Sequence, residues 1–430
     1  MDSSKLDIVI VGAGLAGLAA AIACALAGHH VVVLEAAKAL AEIGAGLQIT
    51  PNASRLLARW DLLQKCEAVC AEPTVLAVHR YADGKLLAEQ KDFHVKTRRK
   101  YGFPFIDMHR VDLQRLLYDR AIELGVDIRL GQRVASITHD RSRPTILLEA
   151  DAAIECDLVV GADGLWSKCR ESLLGTKDTP EPTGDLAFRI VLTLDQLQAD
   201  KKLYDWVAEP QCHFWAGPDA HAVGYSVRRG EMFNLVLLCP DDLPPNVSKQ
   251  TGSVEEMRAL FKGWDPILTR FLDHVEQVDK WKLMYRSELP TWINDKRTLL
   301  LIGDAVHPML PYLAQGANSA IEDGAVLGAL LSEVHQKEQL SEAVQAFQTL
   351  RKARSEAISR ETFLQRHQFH MIDGSEQQER DELFASQMGK EENNVKFPSR
   401  WTCPEVQPWL YGYDAYEEVK SSKDVTSSLT

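Results

Sequence analysis

The sequence predicts an α/β protein in which a Rossmann-like nucleotide-binding domain carries an inserted β-sheet domain and a helical C-terminal part. Two observations predict the first domain: apolar strands alternate with an alanine-rich helix over residues 7–35, and a glycine-rich turn joins the first strand to that helix. Such alternation is typical of a parallel sheet covered by helices. A third observation predicts the inserted β-sheet domain: in residues 180–285, apolar and β-branched runs alternate with turn residues.

The chain has 430 residues, of which 45% are hydrophobic and 25% charged. This composition is typical of a globular protein with several domains, at about 150 residues per domain. The formal net charge of −13 gives no global attraction for a phosphate backbone or an anionic lipid surface. We therefore expect neither nucleic acid nor a membrane as a partner, and a small molecule as the ligand.

The eight cysteines show no CxxC motif and no Cys/His spacing typical of a metal site. Scattered cysteines of this kind indicate reduced thiols, so we expect a cytoplasmic protein that binds no metal. Residues 8–27 form an uncharged stretch that is long enough to span a membrane. Because glycines interrupt that stretch, a strand, a tight turn and a buried helix explain it better.

The N-terminal elements form a strand–helix–strand unit. Asp7–Val11 is a short apolar strand, followed by the turn Gly12–Gly17. Leu18–Ala27 is an alanine-rich helix, and His30–Glu35 is a β-branched strand that ends on a carboxylate. A unit of this kind places its two strands side by side in a parallel sheet.

Further elements follow in the same region. We expect one helix to begin near Pro51 and another to cover Arg110–Leu124, where Gly125 ends it. Short apolar runs then predict strands, namely Asp127–Leu130, Thr145–Leu148 and Asp157–Val160.

After the β-rich region the chain returns to the first domain. Thr298–Ile302 has the pattern of a buried strand, and Asn318–Leu331 and Ser341–His370 show helical spacing of apolar residues. Residues 373–394 are polar and charged, which predicts an exposed connection. The aromatic residues of 401–416 predict a segment that packs back on the body.

These elements predict a domain organisation with a split first domain. Its parts are residues 1–179 (first part of the nucleotide-binding domain), 180–285 (β-rich domain), 286–372 (second part, with C-terminal helices) and 373–430 (C-terminal extension).

The glycine turn predicts a dinucleotide site. Gly12 and Gly14 let the backbone turn tightly and approach a pyrophosphate, and Gly17 lets helix and strand pack closely. The N-terminus of the helix offers amides to the phosphates. Glu35, 18 residues beyond Gly17, would hold ribose hydroxyls. This motif does not decide between NAD and FAD.

Two further motifs place carboxylates next to apolar strands. The strand LLLI runs into Asp304, and Gly316, Ala317 and Asn318 follow at the start of a helix. A carboxylate at the end of a strand can accept a ribose or ribitol hydroxyl, and the positive end of a helix can face an anion. In the same way, the strand DLVV runs into GADG, which contains Asp163.

In order and position, these GxGxxG, GADG and GD motifs resemble those of class A FAD-dependent aromatic monooxygenases, the salicylate and para-hydroxybenzoate hydroxylase superfamily. The similarity covers residues 5–372, and the stretches IGAGLQITPNA and MLPYLAQGANSAIEDGAVL are most similar to the fungal salicylate-hydroxylase-like branch. Two positions depart from the family pattern: Ala314 stands where many relatives have glycine, and Ser226 where many have proline. The first bears on how closely a loop approaches the flavin, and the second on the backbone beside Tyr225.

The resemblance implies that the first domain binds FAD and that the inserted sheet is a substrate domain. It also implies NAD(P)H as co-substrate, and O2, from which a flavin C4a-hydroperoxide transfers one oxygen atom to a phenolic or salicylate-like ring, as in secondary metabolism. The residues implied to bind FAD are Gly12, Gly14, Ala16, Gly17, Glu35, Gly46, Arg110, Asp163, Asp304, Gly316, Ala317 and Asn318.

Arg189 and Tyr225 match positions that face the substrate in fungal phenol-oxidising relatives, so the resemblance implies that both are catalytic. Arg189 can hold a phenolate or a carboxylate, and Tyr225 can share that proton or anion. The structural alternatives are an arginine paired with a surface carboxylate and an ordinary core tyrosine.

Other polar and aromatic residues have a less specific interpretation. Gln48 is implied to lie near the isoalloxazine, and His307 in the GD motif is expected to shape its loop more than to act as a base. A predicted strand pair either lines the pocket or belongs to a half-buried sheet, and its residues are His213, Phe214, Trp215 and His221.

Alternative functions remain open from the sequence. The same motifs suit a flavin-dependent epoxidase of an indole or alkene natural product. A non-catalytic flavin-binding protein and a flavin oxidase or reductase are alternatives of a different kind. The sequence does not determine the oligomeric state.

Overall fold

The computed structural model describes residues 5–40, 45–139, 142–388, 390, 400–401 and 403–427. The strands are β1 (Asp7–Val11), β2 (His30–Glu35), β3 (Gly46–Ile49), β4 (Val75–Arg80), β5 (Leu86–Lys91), β6 (Ile106–His109), β7 (Asp127–Leu130), β8 (Val134–Thr138), β9 (Thr145–Leu148), β10 (Ala153–Glu155), β11 (Leu158–Gly161), β12 (Glu181–Thr193), β13 (Gln211–Gly217), β14 (Ala220–Val227), β15 (Met232–Pro240), β16 (Lys249–Thr251), β17 (Asp279–Tyr285) and β18 (Leu299–Leu301). The helices are α1 (Leu15–Leu26), α2 (Pro51–Arg59), α3 (Leu63–Glu67), α4 (Phe93–Tyr101), α5 (Arg110–Glu123), α6 (Lys168–Leu174), α7 (Lys201–Ala208), α8 (Val254–Leu260), α9 (Pro266–Asp273), α10 (Gln315–Leu331), α11 (Leu340–Phe369), α12 (Ser375–Gln387), α13 (Val406–Tyr411) and α14 (Ala415–Ser427).

A parallel sheet forms the first layer, in the order β18-β11-β1-β2-β7. Its strands are buried along most of their length because helices cover the sheet, which explains their near-continuous apolar sequences. The carboxyl ends of β1, β11 and β18 lead into the glycine turn, GADG and GD motifs, respectively. Parallel pairing therefore gathers the sequence-predicted motifs at one edge of the sheet.

Helices α1 and α10 pack closely because both carry small residues at their contact. A Cβ atom added to Gly324 would lie 2.6 Å from the backbone nitrogen of Ala20, and one added to Gly328 would lie 2.5 Å from the Cβ of Ala23. This close packing holds the N-termini of the two helices beside each other, where residues of both line one cleft.

A second sheet has the order β16-β17-β12-β15-β14-β13-β4-β5 and is antiparallel except between β13 and β4. One of its faces packs on α7, α8 and α9, where Phe233 stacks on Phe271 at 4.4 Å between ring centroids. The other face turns towards the cleft. The sheet draws β4 and β5 from residues 75–91, whereas the predicted β-rich domain begins at residue 180. The domain boundaries themselves stay a prediction.

The C-terminal part is helical, as predicted, and this completes the predicted α/β architecture. The connection predicted for residues 373–394 is mostly exposed in its described part, as expected, but it is a helix, because α12 occupies Ser375–Gln387. The helix packs on the body through a few buried positions, of which Phe384 is apolar, whereas Gln377 and Arg380 are polar and donate hydrogen bonds to Asp381. The aromatic segment packs back as predicted, with Trp401 and Tyr411 buried.

The described residues include no helix with the length and apolarity needed to cross a membrane. Nor does this part of the chain bring together a group of His, Cys, Asp or Glu side chains that could hold a metal ion. All eight cysteines are buried, free thiols.

Candidate active site

A cleft of about 340 Å³ lies where the glycine turn, the N-terminus of α10 and the second sheet meet. One end is formed by backbone from the strand-to-helix turns, and the other by side chains of the sheet. The predicted site residues in its wall are Gly14, Ala16, Gly46, Arg110, Arg189, Tyr225, Asp304, Gly316 and Ala317. Residues from distant parts of the sequence thus meet in one cleft.

The glycine turn shows two different reasons for glycine. A Cβ atom on Gly17 would lie 1.9 Å from the carbonyl oxygen of Gly12, so Gly17 lets α1 pack against the turn. Gly12 itself has φ +107° and lies against Ala162. A Cβ atom on Gly14, in contrast, would meet no atom within 4 Å and would project into open space at the cleft wall. The protein does not fill the volume beside Gly14.

Two predicted cofactor residues lie outside the cleft wall and brace its motifs. Glu35 accepts hydrogen bonds from the amides of Ala13 and Ala37, each at 2.8 Å, and so holds the glycine turn against β2. Asp163 caps α6, accepting from the amides of Lys168 at 2.7 Å and Cys169 at 3.0 Å.

Arg170 connects the GADG and GD motifs. Its side chain is fully buried, forms a 2.6 Å bond to Asp178 Oδ2 and donates to the carbonyl oxygens of Leu165 at 2.7 Å and Ala305 at 2.8 Å. The loops that follow β11 and β18 are therefore held in a fixed position relative to each other.

Gly46 and Asn318 fix β3 to its neighbours. Asn318 is fully buried, accepts from the amide of Thr50 at 3.0 Å and donates to the carbonyl oxygen of Gln48 at 3.0 Å. The amide of Gly46 donates to Asn234 Oδ1 at 2.7 Å, and a Cβ atom at Gly46 would lie 2.6 Å from the ring of Tyr225. The preceding Gly44 lies outside the described residues.

The departure at Ala314 has a visible consequence. Its φ of +51° lies in the left-handed region that favours glycine, and it immediately precedes α10. Alanine there carries a strain of about 1 kcal/mol. The loop keeps the left-handed turn even though the residue is not glycine.

The motif end of the cleft fits FAD. Amides at the N-termini of α1 and α10 face it, and the open space at Gly14 leaves room for a pyrophosphate. Arg110 lines it with a guanidinium that has no partner among the described residues, and the exposed carboxylate of Asp304 offers an acceptor for hydroxyls. Two anionic phosphates and a polyhydroxyl chain match this donor and acceptor set.

Strand alternation builds the other end of the cleft. Side chains two residues apart share a face of a sheet, so Ala187 and Arg189 of β12 point to the same side. The register aligns Arg189 with Val236, and Val236 with Val223. The lining residues of this face are Ala187, Arg189, Phe214, His221, Val223, Tyr225, Val236, Leu238 and Leu283. His213 and Trp215 alternate to the opposite face and do not line the cleft.

Arg189 is a half-buried cation without a counter-ion. Its guanidinium has no hydrogen-bond or ion-pair partner in the part of the chain that the structure describes, and it lies 4.8 Å from the ring centroid of Trp281. Burial lowers the pKa of Arg189, and the nearby charge of Arg110 lowers it further. This end of the cleft is therefore electropositive despite the negative net charge of the chain. The alternative interpretation, in which Arg189 pairs with a surface carboxylate, does not fit these surroundings.

Tyr225 is buried, and burial raises its pKa well above the usual range, with Asp107 adding to the shift. Its hydroxyl has no hydrogen-bond partner among the described residues, although the ring lines the cleft. The hydroxyl is therefore protonated at neutral pH and available to a ligand.

Gln48 lines the cleft and is held from behind by Asp107. Its Nε2 donates to Asp107 Oδ1 at 2.8 Å. Asp107 is fully buried, and burial raises its pKa well above the usual value, although the hydrogen bond from Gln48 opposes this.

Sequence reasoning did not select Tyr312 or, as a functional group, His221. Tyr312 donates to Asp185 Oδ2 at 2.5 Å, and Asp185 is paired with Arg366 of α11. His221 lies 2.6 Å from His370 between ring nitrogens. Asp185 lies 127 residues from Tyr312, and His370 lies 149 residues from His221, so no local motif could indicate either contact.

His307 lies outside the cleft wall. Its Nε2 is 2.6 Å from Asp323 Oδ2, and both side chains are buried. Asp323 also accepts from the amide of Gly303 at 2.9 Å, so the pair anchors the GD loop.

Comparisons with known proteins show the family of this chain. The FAD binding domain family matches residues 5–362. The chain is 50% identical over 413 residues to the FAD-dependent monooxygenase OpS4 of Beauveria bassiana (strain ARSEF 2860), with 95% of each chain covered. It is 30% identical over 414 residues to the 3-hydroxybenzoate 6-hydroxylase of Polaromonas naphthalenivorans (strain CJ2), covering 96% of this chain and 97% of that enzyme.

The fold is similar to that of CtdE, solved in complex with FAD and substrate 4. The TM-score is 0.83 at 25% identity, and 99% of each chain is covered. The family match covers most of the chain, the relatives match it almost end to end, and the motif end of the cleft fits the cofactor. The chain therefore belongs to the family of FAD-dependent monooxygenases.

Proposed function

We propose that this enzyme uses FAD, NAD(P)H and O2 to hydroxylate an aromatic substrate that carries a phenolate or carboxylate oxygen. The observation that carries the proposal is the unpaired guanidinium of Arg189 in an otherwise apolar and aromatic end of the cleft. An unpaired, partly desolvated cation favours an anionic group, and the aromatic and aliphatic wall favours a ring. One relative is named a 3-hydroxybenzoate 6-hydroxylase, and hydroxybenzoate belongs to this substrate class.

Arg189 binds the oxyanion and thereby fixes the position of the ring. Its planar guanidinium can donate two hydrogen bonds to a carboxylate, or one to a phenolate. Tyr225, whose hydroxyl keeps its proton, donates to the same group or to a second oxygen. A phenolate held in this way is a more electron-rich ring than the phenol, so binding as the anion favours attack by the ring on an electrophilic oxygen.

FAD held at the motif end of the cleft would supply the redox chemistry, taking electrons from NAD(P)H and activating O2 for transfer of one oxygen atom to the ring. The chain contributes the surroundings: α10 points its N-terminal amides at the cleft, and Val223, Val236 and Leu238 keep water from the reacting ring. Exclusion of water limits the loss of activated oxygen as hydrogen peroxide.

The cofactor-binding roles of Glu35 and Asp163 are proposed as indirect. Both carboxylates are engaged by backbone amides of their own motifs. We propose that Glu35 positions the glycine turn for the pyrophosphate and that Asp163 positions GADG beside the passing nicotinamide. The predicted cofactor residues that line the cleft would contact FAD directly, and these are Gly14, Ala16, Gly46, Arg110, Asp304, Gly316 and Ala317. The buried free thiols suit a reducing compartment, and we place the enzyme in the cytoplasm.

The test is oxidation of NADH and NADPH in air by the purified holoenzyme, with a panel of phenols, salicylates and indoles. We expect a phenol or salicylate to stimulate consumption and to gain one atom from heavy-isotope O2, detected by mass. An indole or alkene product that is opened by water would support epoxidation instead. Bound FAD without any stimulated consumption would contradict the proposal and favour a non-catalytic protein.

Variants of Arg189 locate the substrate. Arg189→Met keeps much of the side-chain volume without the charge, and we expect it to bind FAD normally while its KM for the anionic substrate rises about tenfold or more, since a charge-assisted hydrogen bond contributes about 1.5–3 kcal/mol. Arg133→Met, on an exposed arginine 3.9 Å from Glu149, is the matched control. An unchanged KM in Arg189→Met would place the substrate elsewhere.

A further inference from the structure

His221 in the cleft wall contacts a second buried histidine through a ring nitrogen. His221 of β14 lines the cleft, and its Nδ1 lies 2.6 Å from Nε2 of His370, which follows α11. Both rings are buried, with exposed fractions of 2% and 6%. A contact this short between ring nitrogens needs a proton between them.

Both histidines are neutral at neutral pH. Burial lowers the pKa of His221 well below the usual range and that of His370 to about 4. Two neutral imidazoles carry one N–H each, so the shared proton belongs to one ring only. If His221 is the donor, His370 must carry its own proton on Nδ1. If His370 is the donor, its Nδ1 is bare and His221 must carry its proton on Nε2.

The environment of His370 decides between these arrangements. Its Nδ1 is buried and has no hydrogen-bond partner in the described part of the chain. Buried N–H groups without an acceptor are rarer in proteins than buried acceptors without a donor. The arrangement with a bare Nδ1 on His370 is therefore favoured, and in it His370 donates through Nε2.

We propose that His370 is a positioning residue that fixes His221 as its Nε2–H tautomer, so that His221 donates a hydrogen bond into the cleft and selects a substrate with an oxygen acceptor at that point. His221 lines the cleft with its Nδ1 engaged by His370, and its Nε2 has no hydrogen-bond partner among the described residues. This inference rests on the proposed function and narrows its substrate class.

Three donors then surround the substrate: the guanidinium of Arg189, the hydroxyl of Tyr225 and the Nε2–H of His221. The neighbouring Tyr312 does not compete, because its hydroxyl donates to Asp185. The ligand class that fits is an aromatic ring with two oxygen acceptors, such as a hydroxybenzoate anion or a ring with a phenolate and a carbonyl. His221 in this tautomer has no lone pair on Nε2 with which to take a phenol proton, so the substrate binds as an anion already formed.

The decisive measurement is the tautomer itself. In holoenzyme labelled with nitrogen-15 at histidine, long-range proton–nitrogen correlation at neutral pH distinguishes the two ring nitrogens, and His221→Gln identifies the His221 signals by their loss. We expect Nε2 of His221 to be protonated and Nδ1 to be bare. A protonated Nδ1 on His221 in the wild-type protein would overturn the proposal.

Two variants test the part played by His370. In His370→Leu the donor is absent, and we expect the signals of His221 to shift towards a mixture of tautomers. His370→Gln can donate through its amide, so it should restore the Nε2–H form. The pair formed by His79 and His213, 2.9 Å apart on the other face of the sheet, is the internal control and should stay unchanged.

An unchanged His221 tautomer in a folded, yellow His370→Leu protein would refute the positioning role. If that variant does not fold, the wild-type tautomer and His370→Gln decide the question. None of these readouts requires turnover, so a failure of the proposed hydroxylation would be distinguishable from a failure of this inference.

Discussion

Gly14, the N-cap of α1, and Gly17, in the first turn of that helix, have opposite surroundings. Gly17→Ala would force its Cβ to within 1.9 Å of the carbonyl oxygen of Gly12. We expect it to lower the free energy of unfolding of the apoprotein by about 1–3 kcal/mol, as overpacked sites do. Gly14→Ala meets no atom within 4 Å and keeps an ordinary φ of −73°. We expect at most about 1 kcal/mol of destabilisation from it, the typical effect of alanine at an N-cap.

The same pair separates stability from cofactor binding. Gly14→Ala should weaken FAD binding about tenfold, equivalent to about 1.4 kcal/mol, because the new methyl group takes the space left for the pyrophosphate. Urea unfolding of the apoprotein and titration of FAD by flavin fluorescence measure the two quantities. Equal FAD affinity in Gly14→Ala and the wild type would mean that the pyrophosphate does not lie beside Gly14.

The ring of Trp281 makes a cation–π contact with the unpaired guanidinium of Arg189. The guanidinium lies 4.8 Å from the ring centroid, and Lys249 lies 4.5 Å from the same ring. Removal of the ring in Trp281→Leu should free the guanidinium to change rotamer, which weakens anion binding by about 0.5–2 kcal/mol, the range of cation–π interactions. Trp281→Phe keeps an aromatic face and is the matched control. The measurement is KM for the substrate found in the panel, and equal KM values in both variants would exclude this support.

At the scale of elements, α10 and α11 are joined by buried charges. Arg351 of α11 is fully buried and lies 2.8 Å from both Glu322 Oε2 and Asp323 Oδ1 of α10. Burial raises the pKa of both carboxyl groups, but Arg354 and Arg351 hold the pKa of Glu322 below its usual range, and His307 and Arg351 do the same for Asp323. The contact continues through His307 into the GD loop. The helix interface thus fixes the loop that carries Asp304.

Arg351→Leu should destabilise the protein by about 3–5 kcal/mol, because each of the two buried carboxylates loses one cationic partner, so that Glu322 keeps only Arg354 and Asp323 keeps only His307. Arg360→Ala removes an exposed pair with Glu288 from the same helix and should change stability by at most about 1 kcal/mol. Urea unfolding of the two variants measures the difference. Similar effects from the two substitutions would show that the buried cluster contributes little.

Residues of α11 thus act at two places along its length. Arg351 in its middle anchors the cofactor side, whereas Arg366 and His370 at its end hold Tyr312 and His221 on the substrate side. The helix was predictable from apolar spacing alone. Its contacts with the cleft were not, because they depend on where the end of the helix meets the second sheet.

The whole molecule should be sensitive to acid. Burial lowers the pKa of several histidines from about 6.5, namely His29, His79, His213, His221 and His370. A folded-state pKa below the unfolded value means that the unfolded chain binds the proton first, so stability is full above the unfolded pKa and is lost as the pH falls. For His370 the loss develops between pH 6.5 and about 4 and amounts to the order of 3 kcal/mol.

Urea unfolding at a series of pH values checks this sign. We expect the free energy of unfolding to fall steadily below the usual histidine range, and to fall further when Glu322 and Asp323 begin to protonate at lower pH. His370→Gln should flatten the curve in the histidine range. A stability that is constant down to pH 4 would contradict the burial of neutral histidines.

The sequence by itself determined the local elements and the cofactor motifs. The bounds of β1, β2, β7 and β9 are as predicted, because these short apolar runs are limited by turn residues that any tertiary setting would respect. The GxGxxG, GADG and GD motifs were recognisable because backbone approach to a dinucleotide restricts the residue at each position. The α12 helix was missed because its polar composition outweighed its few buried positions.

Only the tertiary structure decided which side chains share the cleft. Strand register placed Arg189 near Tyr225 and turned His213 away, and a one-residue shift of β13 would reverse that outcome. The contacts of His221 with His370 and of Tyr312 with Asp185 join segments more than 120 residues apart. Such contacts carry no local signal, because their energy depends on burial and geometry that exist only after the sheets and helices have packed.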